Sequence, residues 1–451
     1  MNDMAKKKEM TPEEKLTEAL VPVEEQPYEV PDNWCWTTVK SIFDLINGRA
    51  FKPKEWTQDG LPIVRIQNLN NEDAPYNYYN GAIDEAHLLN GGELLFAWSG
   101  TPGTSFGAHI WRDEKAVLNQ HIYKLNFNES YNNKIYLKYA LNQRLDELIA
   151  VAHGGAGLQH ITKGVFEKTP ITLPPLQEQN RIVNRIESLF ANLDEAKEKI
   201  QHVLDGAELR KSAILHKAFT GELTRKWRQE NGIADDSWEE KQLKEICRSI
   251  FDGDHMPPPK TDIGVPFLVI SNVNRGVLSF ENTRFVGEDY YNGLSSTRKP
   301  AKGDVLYTLV GSYGIPVVVD TDRAFCFQRH MGLLKLNEKV TTYFLWYILQ
   351  TKEFFDKATG IAKGTAQLTV PIKGLRDLSV IIPPVSEQQE IVRLLDDFLA
   401  KEKSAMAAAE QALTSIDLMK KSILARAFRG QLGTNDPTEE SSVELLKEIL
   451  A

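Results

Sequence analysis

A stretch of fifty residues occurs twice in this chain, 209 residues apart and without a gap. Pro174-Pro175-Leu176-Gln177-Glu178-Gln179 returns as Pro383-Pro384-Val385-Ser386-Glu387-Gln388, and Ile214–Leu223 returns as Ile423–Leu432. Between Pro174 and Leu223, 17 positions are identical to their counterparts. The sequences before each copy also correspond: Leu61–Asn70 with Val265–Asn274, and Gly92-Glu93-Leu94-Leu95 with Gly303-Asp304-Val305-Leu306. A period this long is a duplicated globule and rod, not a solenoid. The order is globule, rod, globule, rod, flanked by an acidic arm over 1–30 and an acidic tail over 433–451. The globules cover 31–173 and 224–382; the rods cover 174–223 and 383–432.

The rods read as long helices. The Pro-Pro pairs force extended backbone and then permit a helix start, and Gly221 and Gly430 are natural stops. In the first rod Ile182, Ile186, Leu189, Leu193, Ala196, Ile200, Val203 and Ala207 follow a heptad spacing. The second has Ile391, Leu395 and Phe398 and then alanines, with Glu402 breaking the seam. Two such seams predict an antiparallel pair, the second helix returning along the first. The globules predict an α+β fold: two mixed α/β domains, each a curved, mostly antiparallel sheet with flanking helices. Expected strands are Leu61–Ile66, Glu93–Trp98, His121–Leu125 and Ile171–Leu173, with Val265–Ile270, Asp304–Leu309, Gly332–Leu336 and Leu378–Ile382 in the second half. Expected helices are Lys134–Val151 and Tyr343–Ala358.

Catalytic signatures are missing. There is no G-x-x-x-x-G-K-[ST] loop and no H-E-x-x-H. No amino-methyltransferase motif is present, because the Pro-Pro pairs lack the preceding Asn or Asp. Asp252-Gly253-Asp254-His255 is either a metal cluster or, more simply, a polar loop beside three prolines. Binding chemistry is therefore expected rather than catalysis. Net charge is −9, which disfavours a nucleic-acid binder. However, the two ends carry −4 each, which leaves the body near neutral. Such a body binds DNA only through local patches, with a partner carrying much of the phosphate contact. Three scattered cysteines, Cys35, Cys247 and Cys326, and the lack of a signal or membrane segment fit a reducing cytoplasm.

Polar residues recurring in both halves are the binding candidates. Arg65, Gln67, Asn68 and Asn70 follow one strand; Ser271, Asn272 and Asn274 follow its counterpart. Asn and Gln bond adenine edges and Arg bonds guanine, but Asn68 and Asn272 equally suit closure of a turn. Gln120 with His121, and Gln328 with Arg329 and His330, are either readers or buried scaffolding. The glycine-rich turns carry Thr101 and Thr104 in one half, Ser312 and Tyr313 in the other. Polar loops before each rod offer Gln159, His160 and Lys163, then Lys363, Thr365 and Gln367. Lys52, Lys54, Lys260 and Arg298 are candidate phosphate contacts, and His255 lies in the Asp252–His255 loop.

The duplicated Pro-Pro-x-x-x-Glu-Gln starts, the Ala-Phe-x-Gly-x-Leu ends at 218–223 and 427–432, and Gly-[Glu/Asp]-[Leu/Val]-Leu resemble the specificity (S) subunit of type I restriction-modification enzymes over residues 31–432. The resemblance implies two target recognition domains reading one split, asymmetric DNA site, and paired helices that set the unread gap. It implies two methylation subunits docked around helices whose starts carry Glu178, Gln179, Ile182, Glu387, Gln388 and Ile391, with restriction subunits joining later. S-adenosylmethionine, ATP and Mg would belong to those partners, leaving no cofactor and no metal in this chain. A short helix over Thr11–Leu20 is either a partner-docking element or part of a disordered leader. A methylation-only system and a coiled-coil scaffold remain alternatives.

Overall fold

The computed structural model describes residues 10–451 except 72, 101–105, 112–114, 156–157, 255–257 and 366. The chain divides into two compact units: residues 1–199 with 412–451, and residues 200–411.

In unit 1 the strand Cys35–Thr38 pairs antiparallel with Pro170–Leu173 and ties the start of the globule to its end. A four-stranded antiparallel sheet runs Asp44–Asn47, Ile122–Asn126, Leu94–Ala97, Gly107–Ile110. A second sheet contains the parallel pair Leu61–Val64 and Ala116–Leu118. Unit 2 repeats the plan. Glu239–Gln242 pairs with Ser379–Ile382, and Cys247–Asp252, Met331–Leu336, Val305–Thr308 and Pro316–Val318 form the antiparallel sheet. Its own parallel pair is Val265–Leu268 with Cys326–Phe327. Each expected curved sheet is thus several small sheets, because short strands such as the wholly buried Leu94–Ala97 and Val305–Thr308 are covered on both faces. The expected helices are each broken in two: Lys134–Gln143 and Leu145–Ala150 at Arg144, Thr342–Ile348 and Lys352–Ile361 at Thr351.

The first rod is the helix Leu176–Asp205 followed by Ala207–Phe219; the second is one helix, Val385–Ala427. The pairing is antiparallel within each unit. In unit 1 the Lys420 ammonium lies 2.5 Å from Asp194, and Lys197 lies 3.8 Å from Asp417. In unit 2 Arg210 Nε donates to Glu402 at 2.9 Å. Ile182 and Ile186 are fully buried, as are Ile391 and Leu395, but Leu189, Leu193 and Ala196 are half-covered. The seam is dry where it meets a globule and partly open beyond it. The break in the first rod has a local cause. Arg210 reaches back over Gly206 to the Val203 carbonyl at 2.7 Å, and a Cβ on residue 206 would stand 2.6 Å from its guanidinium. The same guanidinium bonds Glu402, the residue that interrupts the apolar seam of the second rod.

The acidic ends are folded over the described residues 10–30 and 433–451; the helix expected over Thr11–Leu20 is present, and the alternative of a disordered leader does not hold there. Helix Pro12–Ala19 opens with a capping box in which Thr11 accepts from the Glu14 amide and Glu14 accepts from the Thr11 amide. Helix Ser442–Leu450 is capped by Ser441. Leu16, Leu20, Leu446 and Leu450 join the core of unit 1.

Unit 1 also contains a partly buried, pH-sensitive group. Burial, with the Lys138 charge adding, pushes the His109 imidazole on strand Gly107–Ile110 down to about 4. Between pH 6.5 and 4 the unfolded chain therefore binds a proton that the folded chain does not. Stability rises with pH across this window and falls on acidification, by up to about 3 kcal/mol. In urea unfolding at stepped pH, His109→Gln is expected to flatten that part of the profile.

Candidate functional site

In unit 1 the sequence after strand Leu94–Ala97 turns through Ser99-Gly100 and pairs with Leu158–His160, while Trp98 lies beside His121. This brings His121 and His160 to the Trp98 ring, with Gln120 bonded to His121 and Gln159 next to His160 on its strand. The Trp98 ring stacks on Tyr123 at 5.6 Å and meets His121 at 5.2 Å and His160 at 5.9 Å. Ser99 Oγ bonds His160 Nδ1 at 2.7 Å, and Gln120 Nε2 donates to His121 Nε2 at 3.2 Å. Burial, and then the charge of His160, lowers the His121 pKa, so the ring is neutral at physiological pH and keeps both a donor and an acceptor. His121 Nδ1 and Gln159 Oε1 are buried without a hydrogen-bond partner among the described residues. An orphaned imidazole nitrogen beside an aromatic wall forms a surface ready for a polar, flat ligand.

Unit 2 builds the corresponding place with different side chains. Leu309 N bonds the His330 carbonyl as Trp98 N bonds that of His121, and Val370 N bonds the Leu309 carbonyl as Ile161 N bonds that of Trp98. These bonds align Arg329 with Gln120 and His330 with His121, one residue off the match of Gln120 with Gln328 that the sequence suggests. Burial and the Arg329 charge lower the His330 pKa too. Leu309 replaces Trp98, and the exposed aromatic surface comes instead from Tyr313 stacked on Phe355 at 5.4 Å. Lys363 and Thr369 bond each other's backbone, which closes the loop carrying the exposed Thr365 and Gln367. The loop lies against Gly311, where a Cβ would stand 2.9 Å from Gln367 Nε2. Ser312 is exposed next to it.

Two sets of candidates are corrected. Asn68 and Asn272 are buried and fully used by their own turns. Asn68 accepts from the Arg65 amide at 3.1 Å and donates to the Ala74 carbonyl at 3.1 Å. Asn272 accepts from Val269 at 3.0 Å and donates to Glu281 at 3.0 Å. Neither retains an edge for a base. The exposed Gln67, Asn70, Ser271 and Asn274 flank them.

The helix-start residues offered as a docking face are also internal. Gln179 spans the Asn133 amide at 2.8 Å and the Pro174 carbonyl at 3.0 Å; Gln388 does the same with Thr341 at 2.8 Å and Pro383 at 2.9 Å. Glu178 accepts from Thr434 at 2.6 Å and Arg181 at 3.0 Å. Glu387 accepts from Thr224 and Arg228 at 2.6 Å each and Trp238 at 3.1 Å. Ile182 and Ile391 are core residues. This duplicated motif locks each helix start to its own unit; it presents nothing outward.

Among the phosphate candidates Lys52, Lys54 and Lys260 are exposed, Lys163 lies 3.5 Å from Glu167, and Arg65 sits 5.7 Å from the Trp56 ring. Arg298 and the Tyr290 hydroxyl both bond Asp254. Asp254 is therefore engaged, and no cluster of three metal-ligating side chains exists among the described residues. Thr101, Thr104 and His255 lie outside the described residues. Trp98, absent from the sequence candidates, was visible only as the last residue of an expected strand.

The sequence model of the type I restriction modification DNA specificity domain matches residues 31–205 and again 235–412. The chain is 27% identical over 447 residues to the type I restriction enzyme EcoBI specificity subunit of Escherichia coli, covering 94% of this chain and 93% of that one. It is 26% identical to the MjaVIII specificity subunit of Methanocaldococcus jannaschii, over 86% and 92% of the two chains. The fold is similar to the HsdS subunit from Thermoanaerobacter tengcongensis, with a TM-score of 0.64 at 19% identity over 91% of this chain and all of that one. Two domain matches, one per unit, and relatives matched over nearly their whole length place the chain in one family: it belongs to the type I restriction-modification DNA specificity subunits, which recognise DNA and are not themselves catalytic.

Proposed function

We propose that each unit reads one half of a split, asymmetric DNA site, and that the paired helices fix the number of unread base pairs between the halves. The observation that carries this is one architecture built twice with different surface chemistry. Unit 1 presents Gln120, His121, Gln159, His160 and Trp98 at this place; unit 2 presents Arg329, His330, Gln367 and Tyr313. Gln and His edges pair with base edges, Arg favours guanine, and exposed rings contact thymine methyls or stack. Different residues at matching positions favour different half-sites. Lys52, Lys54, Lys163 and Lys260 would add phosphate contacts that set register without reading sequence. Two methylation subunits, and restriction subunits where present, would supply the remaining phosphate contacts and the chemistry. S-adenosylmethionine, ATP and Mg would be held there rather than here. No helix among the described residues is long and apolar enough to cross a membrane.

Adding seven residues to both helices tests the ruler. Each helix grows by about 10 Å, roughly three base pairs of DNA. Mapping of methylated sites in cells expressing the lengthened chain with its methylation subunit is expected to return the same half-sites with a longer gap. An unchanged gap would overturn the ruler. No split motif from the unaltered chain and its partner would overturn the reading itself.

A further inference from the structure

The two units differ at one place where their shared plan predicts the same surface. In unit 1 that place is filled. The acidic arm runs along strand Cys35–Thr38: Val21 N bonds the Trp36 carbonyl at 3.0 Å, and Leu20 pairs with Thr37. The arm then inserts Tyr28. Its ring meets Trp36 edge-on at 4.8 Å, Arg429 lies over it at 5.0 Å, and Trp36 Nε1 donates to the Tyr28 carbonyl at 3.1 Å. Arg144 and Glu147 complete the surroundings.

Each of these neighbours has a counterpart in unit 2. Arg429 corresponds to Thr220, 209 residues earlier. Arg144 immediately precedes helix Leu145–Ala150 as Thr351 precedes Lys352–Ile361, and Glu147 and Phe354 are the third residues of those helices. Trp36 stands opposite Thr172 as Glu240 stands opposite Ile381. Thr220, Thr351, Phe354 and Ile381, with Phe219 and Val380, line an open cavity of about 300 Å³. Thr172 is 2% exposed, with the Tyr136 hydroxyl bonded to it, whereas Ile381 is 46% exposed. Strand Glu239–Gln242 is the edge of a two-stranded sheet. Unit 2 has no arm to lay there, because its lead-in segment forms helix Arg225–Glu230 and delivers Arg228 to Glu387.

We propose that this cavity and strand edge receive an extended segment of a methylation subunit, which adds beside Glu239–Gln242 and inserts an aromatic side chain between Thr220, Phe354 and Ile381. The occupant is argued from what fills the same place in unit 1: a strand-like segment with one tyrosine anchor. Strand addition supplies backbone hydrogen bonds and the anchor supplies specificity. A basic residue next to the anchor would meet the exposed Glu239 and Glu240. The proposal rests on the functional reading above for the identity of the partner.

The test uses the full chain titrated with purified methylation subunit. Ile381→Glu places a charge at the cavity mouth, and its thermal unfolding should match that of the unaltered chain. Assembly affinity is expected to fall at least about tenfold. A photo-crosslinking residue at position 381 should join an aromatic-bearing segment of the methylation subunit. Affinity within twofold of the unaltered chain, or a crosslink to a second copy of this chain, would overturn the proposal. No assembly by the unaltered chain would overturn the functional reading and this surface together, which separates that result from a loss confined to the variant.

Discussion

Replacing Glu387 by Gln is expected to destabilise unit 2 by about 3 kcal/mol. The Glu387 carboxylate is fully buried and accepts from Thr224, Arg228 and Trp238. Only 7% of the Arg228 side chain is exposed, and its other carboxylate partner, Asp235, is a solvent-facing residue at 3.3 Å. Removing the Glu387 charge leaves a desolvated guanidinium without adequate compensation, a situation that costs about 3–5 kcal/mol. Urea unfolding followed through Trp238, which reports on the same carboxylate, measures the loss. The double variant Glu387→Leu with Arg228→Met should recover most of it, since two apolar side chains need no counter-charge. The equivalent change at Glu178 should cost less. Its partner Arg181 is 38% exposed and keeps two 2.8 Å bonds to Glu439, so water and a second carboxylate absorb the loss. Equal losses at the two sites would show that burial does not set the difference.

The second large effect is on recognition. Exchanging residues 31–173 for the matching segment of a relative should replace one half-site and leave the other as it was. All the candidate readers of unit 1 lie inside this segment, and all those of unit 2 lie outside it. Half-site discrimination should therefore change by at least about a thousandfold, the usual separation of specific from non-specific binding. The junctions decide whether such a chimera folds. Cys35 pairs with Leu173, Trp34 Nε1 donates to Asn435 at 3.1 Å, and Asn33 Nδ2 donates to the Asp436 carbonyl at 3.0 Å. A graft that keeps Asn33, Trp34, Cys35 and Leu173 retains these closures. Methylation mapping that shows both half-sites altered would mean that reading is not divided between the units.

The long helices were legible because a gapless duplication and a heptad seam are independent signals that agree. The interruption at Gly206 was not, because a lone glycine inside a good helix pattern gives no warning; the cause is the Arg210 guanidinium one turn on, held in place by Glu402, which is 192 positions away. Glu402 itself was conspicuous as a break in the seam, although its partner was not. The resemblance puts the Glu-Gln pair on helices that hold partner subunits, and nothing in the local sequence speaks against exposure, since charged and amide side chains usually face solvent. Each is instead buried with every polar atom engaged, a pattern that depends on residues up to 256 positions away. Asn68 and Asn272 illustrate the limit at the candidate site. A turn-closing asparagine and a base-reading asparagine look alike in sequence, and only the positions of the Ala74 and Glu281 carbonyls separate them. Trp98 was hidden for the opposite reason: as the last residue of a strand it looked like core, and the hairpin that brings His160 to it forms at a distance.

The closure of unit 1 has a consequence for synthesis. Its core needs Phe428 and Leu446, and Thr434 must reach Glu178, yet all of unit 2 is made in between. Residues 200–411 carry their own latch, Thr224 and Arg228 with Glu387, and can complete it while the ribosome is still translating. The first globule to emerge must wait, with its apolar face uncovered, for residues 412–451. A pause or premature stop in that last stretch would leave unit 2 intact and unit 1 open, and so expose the half made first to proteases and aggregation.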